Sequence, residues 1–201
     1  MSDEHPFPPV VLQVVLTDAN VLYARVLRDY LLYAAEYHVI AVAWSREILR
    51  EAVDHLVERR PAFTRDSAAR LITAMTKTFP YAERNPESED FKRLEQVVLP
   101  DEGDRHVIAA ALTSEADIVC TNNTRDFPPH VAAKFGFVVM TPDDLICHLI
   151  SEFPTTMEFV HKTSVANLPG ASDESTIKAL RASGAPRAAV MMSEMLKLGP
   201  M

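Results

Sequence analysis

Carboxylates at the beginning and end of one segment carry the clearest chemical signal in this sequence. The segment from Leu99 to Phe127 opens with three acidic residues in four positions, Asp101, Glu102 and Asp104, and it closes near Asp126. A helical apolar pattern and a short β-like run lie between them. Open α/β sheets place their ligand sites beyond the carboxyl ends of the strands. The spacing therefore predicts that carboxylates meet at one sheet edge, where they could hold a divalent metal ion.

Two earlier parts of the chain offer further carboxylates. Asp18 follows residues 10–16, an almost unbroken apolar run typical of a central parallel strand that is buried on both faces. An aspartate at this position can join the same sheet edge, or it can simply cap the helix that follows. Glu47 and Glu51 are four residues apart on a predicted helix and share one of its faces. One of them can complete the cluster, or both can lie on a solvated helix face.

Four acidic positions are thus suited to converge: Asp18, one of the two glutamates, Asp104 and Asp126. Carboxylate oxygens of this kind suit Mg²⁺ or Mn²⁺. Without a cation, such a cluster is destabilised by mutual repulsion and desolvation, and its members carry raised pKa values. In two-metal hydrolysis of a phosphodiester, one ion activates the attacking water and the other stabilises the leaving oxygen. The pattern therefore favours a metal-dependent hydrolase.

The elements that must position these residues follow from the hydrophobic pattern. Strands and helices alternate through about residue 150, which predicts a doubly wound parallel α/β sheet flanked by helices. Ser45, Thr64 and Thr141 are suited to cap predicted helices. The predicted strands cover residues 10–16, 39–43, 118–121 and 137–140, and the predicted helices cover 20–36, 46–59, 66–79, 107–112 and 142–153. Pro128-Pro129 permits a further short helix through Lys134, and the polar residues 80–90 are predicted to form a surface loop.

Composition excludes several classes of protein. The 201 residues carry a formal charge of −8, so no global basic field attracts nucleic acid, although a nuclease with an acidic site remains compatible. No apolar run reaches the roughly 18 residues of a membrane span, and the first residues do not resemble a signal peptide. Cys120 and Cys147 lie in apolar surroundings and are predicted to be buried thiols. With so few cysteines, we expect a cytoplasmic protein without membrane association.

The chain divides into three predicted parts: a flexible tail over residues 1–9, a nuclease-like domain over 10–153, and a small helical extension over 154–201. In the extension, Thr155 or Thr156 is expected to cap a helix to His161, followed by a linker at 165–170. Two more helices follow, the first capped by Ser172 and ending at Ser183. We expect the last, methionine-rich helix to dock on the first domain, with binding to a partner as the alternative. The predicted docking residues are Met191, Met195 and Leu196.

Four segments of this chain resemble a known family: VLTDANVL, SREILRE, DRHVIAAAL and, most specifically, CTNNTRDF. They are similar to the PIN-domain ribonucleases, and within these to the VapC-type toxins of bacterial toxin–antitoxin pairs. The resemblance covers roughly residues 10–150 and implies a PIN-like fold. Larger VapC-like proteins carry a similar helical extension. The resemblance implies that Asp18, Glu51, Asp104 and Asp126 are the metal ligands and the catalytic carboxylates. It also implies that Thr121 and Asn123 are polar catalytic residues that support them.

The resemblance selects Glu51 over Glu47, because the family's glutamate lies six residues beyond a Ser or Thr such as Ser45. Asp101 is then either a further acid beside the ligands or only a helix cap. One departure is Asn122, where many relatives carry a basic residue that could contact phosphate.

The function implied by the resemblance is that of a Mg²⁺- or Mn²⁺-dependent endoribonuclease that acts as a toxin and inhibits translation. Its substrate would be tRNA, rRNA or mRNA, and its partners a small antitoxin and a second copy in a homodimer. Two alternatives remain. One is an inactive PIN scaffold that serves as an interaction module, although such a protein has no reason to keep all four acids. The other is a phosphatase with Asp18 as nucleophile, but that class expects a second aspartate at position 20, which is Asn20 here.

Overall fold

A parallel β-sheet forms the centre of the molecule. The computed structural model describes residues 12–59 and 62–198, so the predicted tail 1–9 and the first residues of the predicted strand 10–16 lie outside the described residues. The sheet has four strands in the order β2-β1-β3-β4, and each neighbouring pair is parallel. The predicted α/β class is confirmed. The strands are β1 (Val14–Thr17), β2 (Ala41–Ala43), β3 (Ile118–Cys120) and β4 (Val138–Met140).

Helices flank the sheet. A short 3₁₀ turn at Glu102–Asp104 precedes the helix before β3, and another at Thr124–Asp126 follows β3. Within the described ranges the helices are α1 (Ala19–Tyr23), α2 (Arg25–Glu36), α3 (Arg46–Arg59), α4 (Arg65–Thr78), α5 (Ser88–Arg93), α6 (Arg105–Thr113), α7 (Pro129–Phe135), α8 (Pro142–Glu152), α9 (Pro154–Ala166), α10 (Asp173–Ala182) and α11 (Pro186–Met195).

The helix starts follow the predicted capping chemistry in most places. Ser45 Oγ accepts the Ile48 N–H at 3.2 Å, and Thr141 Oγ1 accepts the Asp144 N–H at 3.1 Å. The predicted helix 20–36 is wrong in one respect, because it is two helices. The chain is extended at Ala24 (φ −79°, ψ 107°), and this residue separates α1 from α2. The 80–90 stretch, predicted as a surface loop, contains the start of α5.

The hydrophobic core continues from the sheet into the C-terminal helices. Leu16 and Val119 in the central strands are fully buried, as a sheet covered on both faces requires. The same apolar cluster includes Val160, Ile177 and Met192 of the last three helices. The extension is therefore packed on the sheet domain, chiefly through α9 against α2 and α11 against α8.

Details of the extension differ from the predicted ones. Helix α9 begins at Pro154 rather than after a threonine cap, because proline is well suited to the first turn of a helix. It continues past the predicted end at His161 to Ala166, the second residue of the predicted linker. Met192 is the fully buried methionine of α11. Three of its neighbours, the predicted docking residues Met191, Met195 and Leu196, are only partly buried against the core.

Two further predictions concern cysteines and membranes. Both cysteines are free thiols, and Cys120 is buried as expected, whereas Cys147 is only partly buried. The cause is its position on α8, where neighbouring faces of the helix meet core and solvent. Among the described residues, no helix is long and apolar enough to cross a membrane.

Candidate active site

The register of the central strands brings Asp18 and Thr121 together. Thr17 pairs with Cys120 in the parallel β1–β3 ladder, and the Asp18 N–H continues it by donating to the Cys120 carbonyl at 3.0 Å. The next residue on each strand therefore lies at the carboxyl edge of the sheet. There the Thr121 hydroxyl donates to Asp18 Oδ2 at 2.6 Å.

Asp18 is buried and held by several donors. Its side chain is the N-cap of α1, with Oδ1 accepting the Ala19 N–H at 2.6 Å. Oδ2 also accepts from the Asn20 amide at 2.5 Å. Burial raises the pKa of Asp18, and the hydrogen bonds from Thr121, Ala19 and Asn20 oppose this without cancelling it. The capping role and a place in the acidic cluster thus belong to the same residue.

Asn20 is a site residue that the sequence analysis did not select. Its amide also lies 3.0 Å from Thr121 Oγ1, and its Oδ1 accepts the Asn122 N–H at 2.9 Å. The Asn123 N–H in turn donates to Thr121 Oγ1 at 3.0 Å. These contacts fix the loop after β3 relative to Asp18. The available signal was its position two residues after Asp18, where a neutral amide can donate to the carboxylate but a second aspartate could not.

A second group of carboxylates forms where α6 begins. One ligand oxygen from each of Asp101, Asp104 and Asp126 lies within 4.8 Å of the others. Burial, as the largest cause, and the nearby Asp18, Asp126 and Asp101 carboxylates together raise the pKa of Asp104 to about 7. The Asn123 amide donates to Asp126. Asp101 also accepts the Gly103 N–H at 2.8 Å, so it both caps the 3₁₀ turn and lies beside the other two acids.

Helix α3 supplies the remaining acid. The pKa of Glu51 is raised by burial, while the nearby His106 opposes this and the Asp18 and Glu47 carboxylates add to it. Glu51 therefore lies within electrostatic reach of Asp18. Glu47 is the more exposed of the two, with 46% of its side chain accessible against 38% for Glu51, and it pairs with Arg50 at 3.1 Å.

His106 is the second residue that the sequence analysis missed. It lies in the first turn of α6, two residues after Asp104, and only 11% of its side chain is exposed. Its Nε2 is 3.2 Å from Glu51 Oε1, and its Nδ1 is 3.8 Å from Glu47 Oε2. The signal was its spacing from Asp104 at a helix start, but a lone histidine in a sequence carries no information about which glutamates it meets.

The residues present fit a divalent cation. Asp18 raises the pKa of both Glu51 and Asp104, and Asp126 raises that of Asp104, so Asp18 lies within electrostatic reach of carboxylates on both sides of the site. All of them offer hard oxygen donors, which Mg²⁺ and Mn²⁺ accept. A cation placed among them would relieve both the repulsion and the desolvation penalty.

The sheet is parallel, and carboxylates cluster beyond the carboxyl ends of its strands. These two features place the protein among the nuclease-like α/β proteins with a candidate metal centre. The chain belongs to the PIN-domain family, since the family model described as PIN domain matches residues 14–125, more than half of the chain. PIN domains are generally metal-dependent nucleases, so membership indicates a nuclease. No curated protein and no solved structure matches the chain.

Proposed function

We propose that this protein is a divalent-metal-dependent endoribonuclease and the toxin of a toxin–antitoxin pair. One observation carries the nuclease part of the proposal. Carboxylates from four separate parts of the chain are linked at this site, because Asp18 raises the pKa of Glu51 and of Asp104, and Asp126 raises that of Asp104. A folded protein gains nothing in stability from gathering like charges, so their proximity favours a role in binding a cation.

The four carboxylates would hold Mg²⁺ or Mn²⁺, which supplies an activated water and stabilises the leaving oxygen of a phosphodiester. Thr121 and Asn123 form hydrogen bonds with two of these carboxylates. Thr121 donates to Asp18, and Asn123 donates to Asp126, so each fixes the direction in which a carboxylate presents its free lone pairs. Asp104, with a pKa of about 7, would exchange a proton for a cation near neutral pH.

The toxin role rests on the resemblance of the CTNNTRDF and DRHVIAAAL segments to VapC-type proteins. Such a protein cleaves cellular RNA in the cytoplasm, inhibits translation and is neutralised by a small antitoxin. An acidic site of this kind favours an arginine from the antitoxin, because a guanidinium pairs with carboxylates through two parallel hydrogen bonds. The extension over residues 154–201 is then an appendage that supports the nuclease domain rather than a second catalytic unit.

The nuclease proposal is tested with Asp104→Asn. We expect loss of cleavage of total tRNA and rRNA in Mn²⁺ and in Mg²⁺, because the variant lacks one ligand charge. Asp54→Asn is the matched control, since Asp54 is exposed on α3 and should leave cleavage unchanged. Cleavage by Asp104→Asn at the wild-type rate would refute the proposed site. Absence of cleavage by the wild-type protein on every RNA tested would favour the inactive scaffold.

The toxin proposal is tested in growing bacteria. Induced expression of the wild-type chain should stop incorporation of labelled amino acids, and expression of Asp104→Asn should not. Co-expression of the short reading frame next to the gene should restore growth. Normal translation in cells that contain an enzyme active in vitro would leave the nuclease proposal standing and reject the toxin role.

A further inference from the structure

The imidazole of His106 presents a lone pair for which the fold provides no donor. Nε2 lies 3.2 Å from Glu51 Oε1, so a hydrogen on Nε2 faces this carboxylate. In that tautomer Nδ1 carries the lone pair. Nδ1 is buried and has no hydrogen-bond partner among the described residues. The side chain as a whole is 11% exposed, so water reaches little of it.

Glu47 places a carboxylate oxygen close to His106 Nδ1. Its Oε2 lies 3.8 Å from His106 Nδ1, which is too long for a hydrogen bond. Among the described residues, Glu47 Oε2 and His106 Nδ1 thus face each other without a hydrogen bond between them. Ligands that each lie about 2.1 Å from one ion can be separated by up to about 4 Å, so this distance suits a shared cation. One ligand atom from each of Glu47, Glu51 and His106 lies within 4.8 Å of the others.

We propose that Glu47 Oε2 and His106 Nδ1 bind a divalent transition ion at a position beside the Asp101–Asp104–Asp126 group. Glu51 orients the imidazole through the 3.2 Å contact of its Oε1 with Nε2, a carboxylate–histidine pairing that histidine ligands of metals commonly show. The inference rests on the proposed function for the role of Glu51, which the nuclease site shares. Glu47 and His106 are additional to the four carboxylates of that site.

A nitrogen ligand changes which ions the site prefers. Mg²⁺ demands oxygen ligands and gives up its water reluctantly, whereas imidazole suits transition ions. The centre should therefore bind Mn²⁺ more tightly than Mg²⁺, and His106 should account for the difference. Arg50 competes only for the other oxygen of Glu47, Oε1, at 3.1 Å and leaves Oε2 available.

A protonated imidazole between the two glutamates is the rival explanation, and it requires no metal. Pulsed electron paramagnetic resonance of the Mn²⁺-loaded, full-length protein separates the two, because Mn²⁺ bound to imidazole shows coupling to ¹⁴N. We expect this coupling in the wild-type protein and its loss in His106→Gln. We also expect His106→Gln to weaken Mn²⁺ binding about tenfold while leaving Mg²⁺ binding almost unchanged. His148→Gln, an exposed position on α8, is the matched control and should retain the coupling.

Each outcome decides the inference. Absence of ¹⁴N coupling in the wild type, or its persistence in His106→Gln, would show an ion pair only and overturn the proposal. If His106→Gln does not fold by circular dichroism, Glu47→Gln replaces it, because Glu47 is 46% exposed and tolerates the change. Weaker Mn²⁺ binding by Glu47→Gln supports the site, and unchanged binding overturns it. RNA cleavage without ¹⁴N coupling rejects this inference alone, whereas coupling without any RNA cleavage rejects the proposed function alone.

Discussion

At the scale of single residues, the protonation of Asp104 depends on its neighbours. Burial and the nearby Asp18 and Asp126 carboxylates raise its pKa to about 7, whereas an aspartate in the unfolded chain titrates near 3.9. The folded state therefore binds the proton more tightly than the unfolded state. The stability that this provides is fully present below about pH 4 and is lost as the pH rises through about 7.

We expect Asp104→Asn to become more stable relative to the wild type as the pH rises from about 5 to about 8 without metal, because the variant never acquires the repelling charge. Thermal unfolding of both proteins in a chelator measures the difference. The curves of Asp54→Asn should follow those of the wild type throughout. A constant difference between Asp104→Asn and the wild type at all pH values would show that Asp104 is not coupled to the other carboxylates in solution.

A substitution at Thr121 tests the hydrogen bonds that hold Asp18 in place. Thr121→Val keeps the shape of the side chain but removes a hydroxyl that donates to Asp18 and accepts from Asn123. Because Thr121 is fully buried, no water replaces these bonds, and we expect a loss of about 1–3 kcal/mol in the free energy of unfolding. Urea denaturation measures it. Thr121→Ser should keep most of the stability, and equal stability of the valine and wild-type proteins would mean that the bonds contribute nothing net.

At the scale of elements, a buried hydrogen-bonded chain joins the last helices to α2. The Tyr30 hydroxyl lies 2.5 Å from His161 Nδ1 on α9, and His161 Nε2 lies 3.1 Å from Asp173 Oδ1 at the start of α10. Tyr30 and His161 are fully buried. Tyr37 and Thr163 form a similar contact between α2 and α9 at 2.7 Å, but Tyr37 is 40% exposed.

We expect Tyr30→Phe to lower the free energy of unfolding by about 1–3 kcal/mol, because it leaves a buried histidine nitrogen without a partner. Tyr37→Phe should cost less than about 1 kcal/mol, since water can replace the lost bond there. Denaturant unfolding of the two variants under identical conditions provides the comparison. Equal costs at the two positions would contradict the argument from burial.

At the scale of the whole molecule, the helices after Phe153 share the core of the sheet domain. Truncation after Glu152 would remove the fully buried Val160, Ile177 and Met192 and expose the apolar surface that they cover. We expect the truncated protein to aggregate or to unfold at a lower temperature than the full chain. Light scattering and thermal unfolding measure both effects. A truncated protein that stays soluble, equally stable and active but no longer binds a partner would show that the extension is an interaction module.

The features that the sequence determined by itself depend mostly on neighbouring residues or on periodic patterns. Alternation of apolar patterns predicted the parallel α/β sheet, because strand and helix periods depend on neighbouring residues. Capping by Ser45 and Thr141 was predictable for the same reason. The acidic positions could be selected because the carboxyl ends of parallel strands share one edge. The family resemblance added Thr121 and Asn123, whose hydrogen bonds to Asp18 and Asp126 the structure contains.

Only the tertiary structure decided which groups meet across elements. The separation of α1 from α2 at Ala24 was invisible, because alanine is a good helix former and its own propensity argues for one continuous helix. The contacts of His106 with Glu47 and Glu51 depend on how α6 packs against α3, and no spacing along the chain encodes that relation. The sequence therefore determined which acidic residues follow the strands at the sheet edge, and tertiary packing decided which side chains surround them.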